Sequence, residues 1–155
     1  MAAGKQSAGL LLYRRREGRL EVFLVHPGGP LFARKDAGFW SIPKGEYEDS
    51  EDPLQAALRE FREETGFPVE GELHPLTPVV QKSGKRVAAW AVQGDCDPAQ
   101  MRSNTFSMEW PPRSGRQREF PEVDRGEWFR LPAAREKINA AQAAWLEELL
   151  RLEIQ

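Results

Sequence analysis

The segment Gly45–Phe67 restricts this chain more than any other, because it reads as a loop, a helix and a stop in unbroken succession. Asp52 is a good N-cap, and Pro53 stands at the first helical position, where the missing N–H costs nothing. Residues 54–64 are mostly Leu, Gln, Ala, Arg and Glu, which are strong helix formers. Gly66 suits the left-handed conformation that closes many helices. At about 100° per residue, Leu54, Ala57, Leu58 and Phe61 make one apolar stripe. Glu60, Glu63 and Glu64 share the neighbouring stripe, with Ala56 one turn earlier as a small residue that leaves the carboxylates open.

Three clustered carboxylates repel one another, and at a helix C-terminus they also oppose the macrodipole. A solvated face relieved by Arg59 and Arg62 would tolerate this cost. A hard divalent cation would reverse it, since Mg2+ takes oxygen ligands and keeps waters and phosphates in its shell.

The whole pattern decides between these readings. A glycine, five residues, Glu51, seven residues, and then Arg59-Glu60-apolar-x-Glu63-Glu64-x-Gly66-apolar resembles the box of the Nudix hydrolases, often called MutT-like, at every defining position. The resemblance covers 23 residues without a departure. It implies an α+β fold, an αβα sandwich with a mixed β-sheet between helices. It also implies Mg2+-dependent hydrolysis, with Mn2+ as the alternative ion, of a nucleoside diphosphate linked to another group.

By the same resemblance Glu60, Glu63 and Glu64, with a backbone carbonyl around Lys44–Gly45, hold the metal. Glu122 matches a late-loop glutamate of several Nudix pyrophosphatases, with Glu119 as the fallback. One of Glu60, Glu63 or Glu122 acts as general base, and the sequence leaves that choice open. Arg59 is expected to orient a carboxylate through a bidentate pair, and Glu51 to brace the loop or the arginine. The entry Trp40-Ser-Ile-Pro43-Lys44-Gly45 is similar to members acting on nucleoside polyphosphates, and Lys44 places a positive charge near phosphate oxygens.

The rest of the chain supports the implied architecture. Ser7–Tyr13 and Leu20–Val25 read as a strand hairpin around a polar turn. His26-Pro27-Gly28-Gly29-Pro30 reads as the start of a loop that runs to Gly38 and could border a ligand. Residues 69–76 are extended, and Thr77–Gln81 and Arg86–Gln93 are strands joined by a turn at Lys82–Lys85. Thr105–Trp110 is strand-like. The loop 110–118 carries Arg113, Arg116 and Arg118 beside Trp110, a combination that could bind polyphosphate and stack a base. Trp128 and Phe129 read as core. Leu131–Ile138 and Ala140–Leu152 are helices, the second with Ala141, Ala144, Trp145, Leu149 and Leu152 facing the sheet. His26 and His74 read as structural residues.

At 155 residues, the chain is expected to form one domain over 1–155. A net charge of -2 gives no general case for nucleic-acid binding. One cysteine, Cys96, leaves no internal disulfide and fits a reducing, cytoplasmic setting. No segment approaches the roughly 20 apolar residues of a membrane span. The resemblance implies a small nucleotide or polyphosphate as partner, and oligomeric state is not legible. Ser83 stands where ADP-ribose pyrophosphatases carry a proline, and the Pro43-Lys44-Gly45 entry and the arginine loop lean towards a nucleoside triphosphate or dinucleoside polyphosphate as the expected substrate. Two other classes fit the same fold. One is a non-catalytic nucleotide-sensing or protein-binding module, for which intact carboxylates are superfluous. The other is an isoprenyl-diphosphate-type isomerase, which wants a reactive cysteine.

Overall fold

The computed structural model describes residues 5–154. Its centre is β1 (Gln6–Arg16), whose apolar run Ala8–Tyr13 is buried on both faces. A strand with that composition needs cover on both sides. It pairs antiparallel with β2 (Arg19–Pro27) and with β3 (Lys44–Glu46), and parallel with β6 (Arg86–Gln93). β4 (Leu73–Pro75) and the two-residue β5 (Val79–Val80) pair with β6, and β9 (Val123–Arg130) pairs with β2. The result is a mixed seven-stranded sheet. β7 (Thr105–Glu109) and β8 (Gln117–Pro121) form a separate two-stranded hairpin.

Alternation along β1 divides the core in two. Ala8, Leu10 and Leu12 face α1 (Pro53–Thr65) and its Ala56, Ala57 and Phe61. Leu11 and Tyr13 face α2 (Leu131–Lys137) and α3 (Ala143–Ile154), where Ala134, Trp145, Leu146 and Leu149 are buried. The αβα sandwich and the mixed sheet are thus as expected. Among the described residues no helix is long and apolar enough to cross a membrane.

Several local expectations change. His26 and Pro27 belong to β2 rather than to the loop: they pair with Arg125 and Val123 across a register shift. His26 is fully buried. Its Nε2–H donates to the Lys35 carbonyl at 2.6 Å, and Nδ1 lies 2.8 Å from Asp124 Oδ1. The 28–39 loop is therefore tied to the sheet from within, at Lys35.

Around α1 the buried face is rotated towards the carboxylates: Ala56, Ala57, Glu60, Phe61, Glu64 and Thr65 are buried, while Leu54 and Leu58 are only half-buried. Ala56 is small because the sheet packs directly on it, not to keep the acidic stripe open. The last helix begins at Ala143 after a short 3-10 turn, and this shifts its phase. Ala144 and Leu152 face outward, and Gln142 takes the buried position instead. Gln142 satisfies its amide there by accepting from the Ile42 N–H and donating to Ser41 Oγ and Gln81 Oε1.

Candidate active site

The end of α1 is built as its sequence implies. Asp52 accepts a hydrogen bond from the Gln55 N–H at 3.1 Å, and Gly66 ends the helix at φ 78° with its N–H donating to the Arg62 carbonyl. This aims Glu60, Glu63 and Glu64 at β3. Gly45 pairs with Ala8 on the sheet face that α1 covers, and a Cβ there would collide with the Glu60 carboxylate. The first position of the box is thus glycine for a steric reason. Glu64 accepts from the Lys44 backbone N–H.

A short ladder of backbone bonds brings in the fourth carboxylate. The Asn104 N–H donates to the Glu63 carbonyl, the Glu122 N–H to the Asn104 carbonyl, and the Gly28 N–H to the Glu122 carbonyl. Glu122 stands between β8 and β9 and is held beside the helix end. Ser7, Lys44, Gly45, Glu46, Glu60, Glu63, Glu64, Lys85, Asn104 and Glu122 line one cleft of about 400 Å³.

The electrostatics of the cleft are those of charge held away from water. Burial, reinforced by Glu60, pushes the Glu64 carboxyl up to about 8. Burial also raises Glu60, against the opposing pull of Arg59, and it raises Glu122. Lys44 is driven down, first by burial and then by the Lys85 ammonium.

Arg59 is the organiser. Its Nε and Nη2 donate to the two oxygens of Glu51 at 2.8 and 2.9 Å, and Nη1 donates to Glu60 at 2.8 Å and to Glu63 at 3.2 Å. Arg59 is correspondingly raised and Glu51 lowered, each chiefly by that shared hydrogen bond.

The donor set suits a hard cation: it is all oxygen, and two of its carboxylates are buried without enough positive charge to match them. Among the described residues no three carboxylates already surround one point closely enough to hold an ion. A site completed by waters and substrate phosphates is the kind Mg2+ prefers.

Of the residues singled out in the sequence, Glu51 and Arg59 form their pair, and Lys44, Gly45, Glu60, Glu63, Glu64 and Glu122 share the cleft. Arg113 and Arg116 do not. They are exposed in the turn of the β7–β8 hairpin, whereas the hairpin's base, at Asn104 and Glu122, reaches the cleft. The intervening strand is four residue steps long, roughly 13 Å. Glu119 is exposed on β8 and does not line the cleft. Ser7, Lys85 and Asn104 line it without having stood out in the sequence. Only register brings Ser7 and Lys85 there, and Asn104 acts through its backbone.

Comparison with known proteins bears on the family and the fold. A segment of 101 residues, 65% of this chain, is 34% identical to part of an octanoyltransferase of Myxococcus xanthus, covering 25% of that protein. A segment of 62 residues, 40% of this chain, is 36% identical to the asymmetrical bis(5'-nucleosyl)-tetraphosphatase of Caenorhabditis elegans, covering 41% of it. The chain thus accounts for less than half the length of either curated relative. Among solved structures, a C. elegans Ap4A hydrolase binary complex superposes with a TM-score of 0.69 at 24% identity, over 97% of this chain and 98% of that one, a likeness of fold. The NUDIX domain model matches residues 5–149, and the chain belongs to the Nudix family.

Proposed function

We propose that this chain is a pyrophosphohydrolase that cleaves a phosphoanhydride bond in a nucleotide, with Mg2+ as cofactor and a nucleoside triphosphate or dinucleoside polyphosphate as substrate. One observation carries the reading: glutamates from two distant segments, α1 and the β8–β9 junction, line one cleft with two lysines. The names of two relatives point the same way, the tetraphosphatase above and an 8-oxo-dGTP diphosphatase of Proteus vulgaris that is 56% identical over 32 residues.

Phosphoanhydrides resist attack because their oxygens repel the nucleophile. Bound Mg2+ would neutralise that charge and acidify a water. Glu60, Glu63 and Glu64 would hold the ion, with the Gly45 backbone at the same place. Glu122 reaches the same volume from the opposite chain segment and, with Glu60 and Glu63, is a candidate to accept the proton of the attacking water. Arg59 braces the carboxylates of Glu60 and Glu63 while Glu51 fixes Arg59. Lys44 donates its backbone N–H to Glu64 and adds a positive charge at the border of the same cleft. One domain spanning the chain and a cytoplasmic setting complete the proposal.

An isomerase reading is less well supported. Burial first, then Asp95, pushes the Cys96 thiol up to about 12, the wrong direction for a reactive cysteine. The decisive experiment is release of phosphate or nucleotide from a panel of ATP, dGTP, diadenosine tetraphosphate and ADP-ribose, with and without Mg2+. Turnover that requires the ion supports the reading, and no turnover of any of the four overturns it.

A further inference from the structure

Glu60, Glu63 and Glu64 are aimed by a helix. Glu122 is not: it stands at a bend between two strands, and its direction depends on how β9 begins. That beginning is irregular. His26 of β2 pairs with Arg125, and the next residue, Pro27, pairs with Val123, so Asp124 is an extra residue with no partner in the ladder. An insertion of this kind is a β-bulge, and it reverses the alternation of side chains along the strand.

The packing shows the reversal. Gly126 and Trp128 lie against Phe23, on the side of α1, while Arg125 and Phe129 lie against Trp40, on the side of α2 and α3. Regular alternation would return Val123 to the Trp40 side. Instead Val123 is buried in the cluster that holds Ala56 and Phe61. Without the extra residue, those that precede Arg125 would change faces, and Glu122 with them.

An extra residue lacks a ladder bond and needs another anchor. His26 supplies it: Nδ1 lies 2.8 Å from Asp124 Oδ1, and Nε2 lies 2.6 Å from the Lys35 carbonyl oxygen. The ring is fully buried and packs edge-on against Trp40, with 5.2 Å between centroids. Asp124 is thus drawn onto a partner that is itself held at both nitrogens. The residues before it are tied by their backbone. The Val123 N–H donates to Ser103 Oγ at 3.1 Å, and the Gly28 N–H donates to the Glu122 carbonyl at 2.9 Å. A Cβ at Gly28 would collide with the Pro121 carbonyl, so the end of β2 closes directly on this bend.

We infer that His26 is a positioning residue for Glu122: by gripping Asp124 it keeps the bulge that turns Glu122 into the cleft, and it acts on the reaction through that glutamate alone. The inference rests on the pyrophosphohydrolase reading for the part Glu122 plays in turnover. His26 packs on Trp40 and does not line the cleft, so it works at one remove from substrate.

The test starts at Asp124, which is exposed, whereas His26 is in the core. Asp124→Ala removes the grip, and Asp124→Asn keeps an oxygen acceptor in the same place. At saturating Mg2+, Asp124→Ala lowers kcat for the best substrate of the panel about tenfold or more, the scale for a lost outer partner of a site residue. KM changes little, and Asp124→Asn recovers most of the loss. In a Glu122→Gln background the same truncation costs nothing further, because its effect runs through Glu122. Factors that multiply, an unchanged kcat, or a loss carried by KM overturn the inference. His26→Gln drops the donor at Nδ1 and behaves as Asp124→Ala; thermal unfolding shows whether it folds, and the Asp124 pair decides if it does not.

Amide hydrogen exchange needs no turnover. In Asp124→Ala the amides of Gly28, Glu122 and Val123 lose protection about tenfold, while those of β2 from Val22 to Val25 keep theirs. Unchanged protection at the three amides, or loss spread along all of β2, overturns the inference whatever the chain hydrolyses. A parent that turns over none of the panel but shows the local loss fails the pyrophosphohydrolase reading and supports the grip of His26 on the bulge.

Discussion

The glutamates of α1 and the arginines of the 110–116 turn are both dense runs of like charge, and the fold treats them differently. Glu60 and Glu64 are buried at 9% and 8% exposure, at the edge of a core where Ala56 and Phe61 admit no solvent. Arg113 and Arg116 ride on a hairpin that pairs only with itself and are exposed. Like charge in water is cheap because it is screened, and a residue there needs no function to persist. Like charge at the edge of a core is costly and points to something that compensates it. Burial of Glu60 and Glu64, which draws the exposed Glu63 and Glu122 into one cleft with them, rather than charge density, separates a candidate site from a solvated loop.

The largest effect that would sharpen this contrast is on turnover. Glu63→Gln and Glu64→Gln each remove a carboxylate from the cleft while keeping its volume. We expect kcat to fall by about 100-fold or more, the scale of a lost catalytic proton or metal contact, with the far-ultraviolet circular dichroism unchanged. Full activity in either variant at saturating Mg2+ would show that the crowded carboxylates are not the site. Next is Gly45→Ala, where the new Cβ meets the Glu60 carboxylate. Overpacking of this kind costs about 1–3 kcal/mol, and here the displaced group is a candidate ligand. Mg2+ affinity measured by calorimetry should therefore weaken along with stability. A variant that loses neither would mean that Glu60 has room to spare.

These two sites show which parts of the molecule the sequence could reveal. The caps of α1, its length and the shared direction of Glu60, Glu63 and Glu64 follow from neighbours within a few residues, and the structure reproduces them. Glu51 and Arg59 are eight positions apart but belong to the same local unit, so their pairing was legible too. Ser7 and Lys85 were not, because they meet only through the parallel register of β1 with β6. Arg113 and Arg116 misled for the complementary reason. Nothing local says that residues 105–121 form a hairpin whose base touches the cleft and whose turn does not. The phase of α3 was lost to a 3-10 turn and to Gln142, a polar residue buried because it satisfies a strand's N–H and two side chains.

A smaller effect comes from pH in the absence of metal. Glu64 has a folded-state pKa raised from 4.5 to about 8, so the folded chain holds this proton more tightly than the unfolded one does. The unfolded chain releases it first as pH rises, and stability is lost progressively between roughly pH 4.5 and 8, by at most a few kcal/mol. In chelator the midpoint of thermal unfolding should therefore be lower at pH 8 than at pH 5.5. Added Mg2+ should recover more at pH 8, since the ion then replaces no proton. A midpoint that rises with pH in chelator would mean that Glu64 is not held in a desolvated pocket.

The smallest expected effect tests the other half of the contrast. Arg113→Ala and Arg116→Ala alter exposed side chains whose neighbours are the hairpin's own turn. Two hydrogen bonds at these residues, Arg113 N–H to Glu109 Oε1 and Arg116 N–H to Ser114 Oγ, use the backbone and survive truncation of the side chain. Substitutions at such positions usually change stability by no more than about 0.5 kcal/mol, and kcat/KM for ATP should stay within about twofold. A tenfold rise in KM from Arg116→Ala alone would mean that the hairpin folds over the cleft when substrate is present. A long polyphosphate would then be gripped by the hairpin turn as well as by the cleft. The distance between the turn and Glu122 would be a property of the empty protein only, and the division between buried and solvated charge would cease to mark the limits of the site.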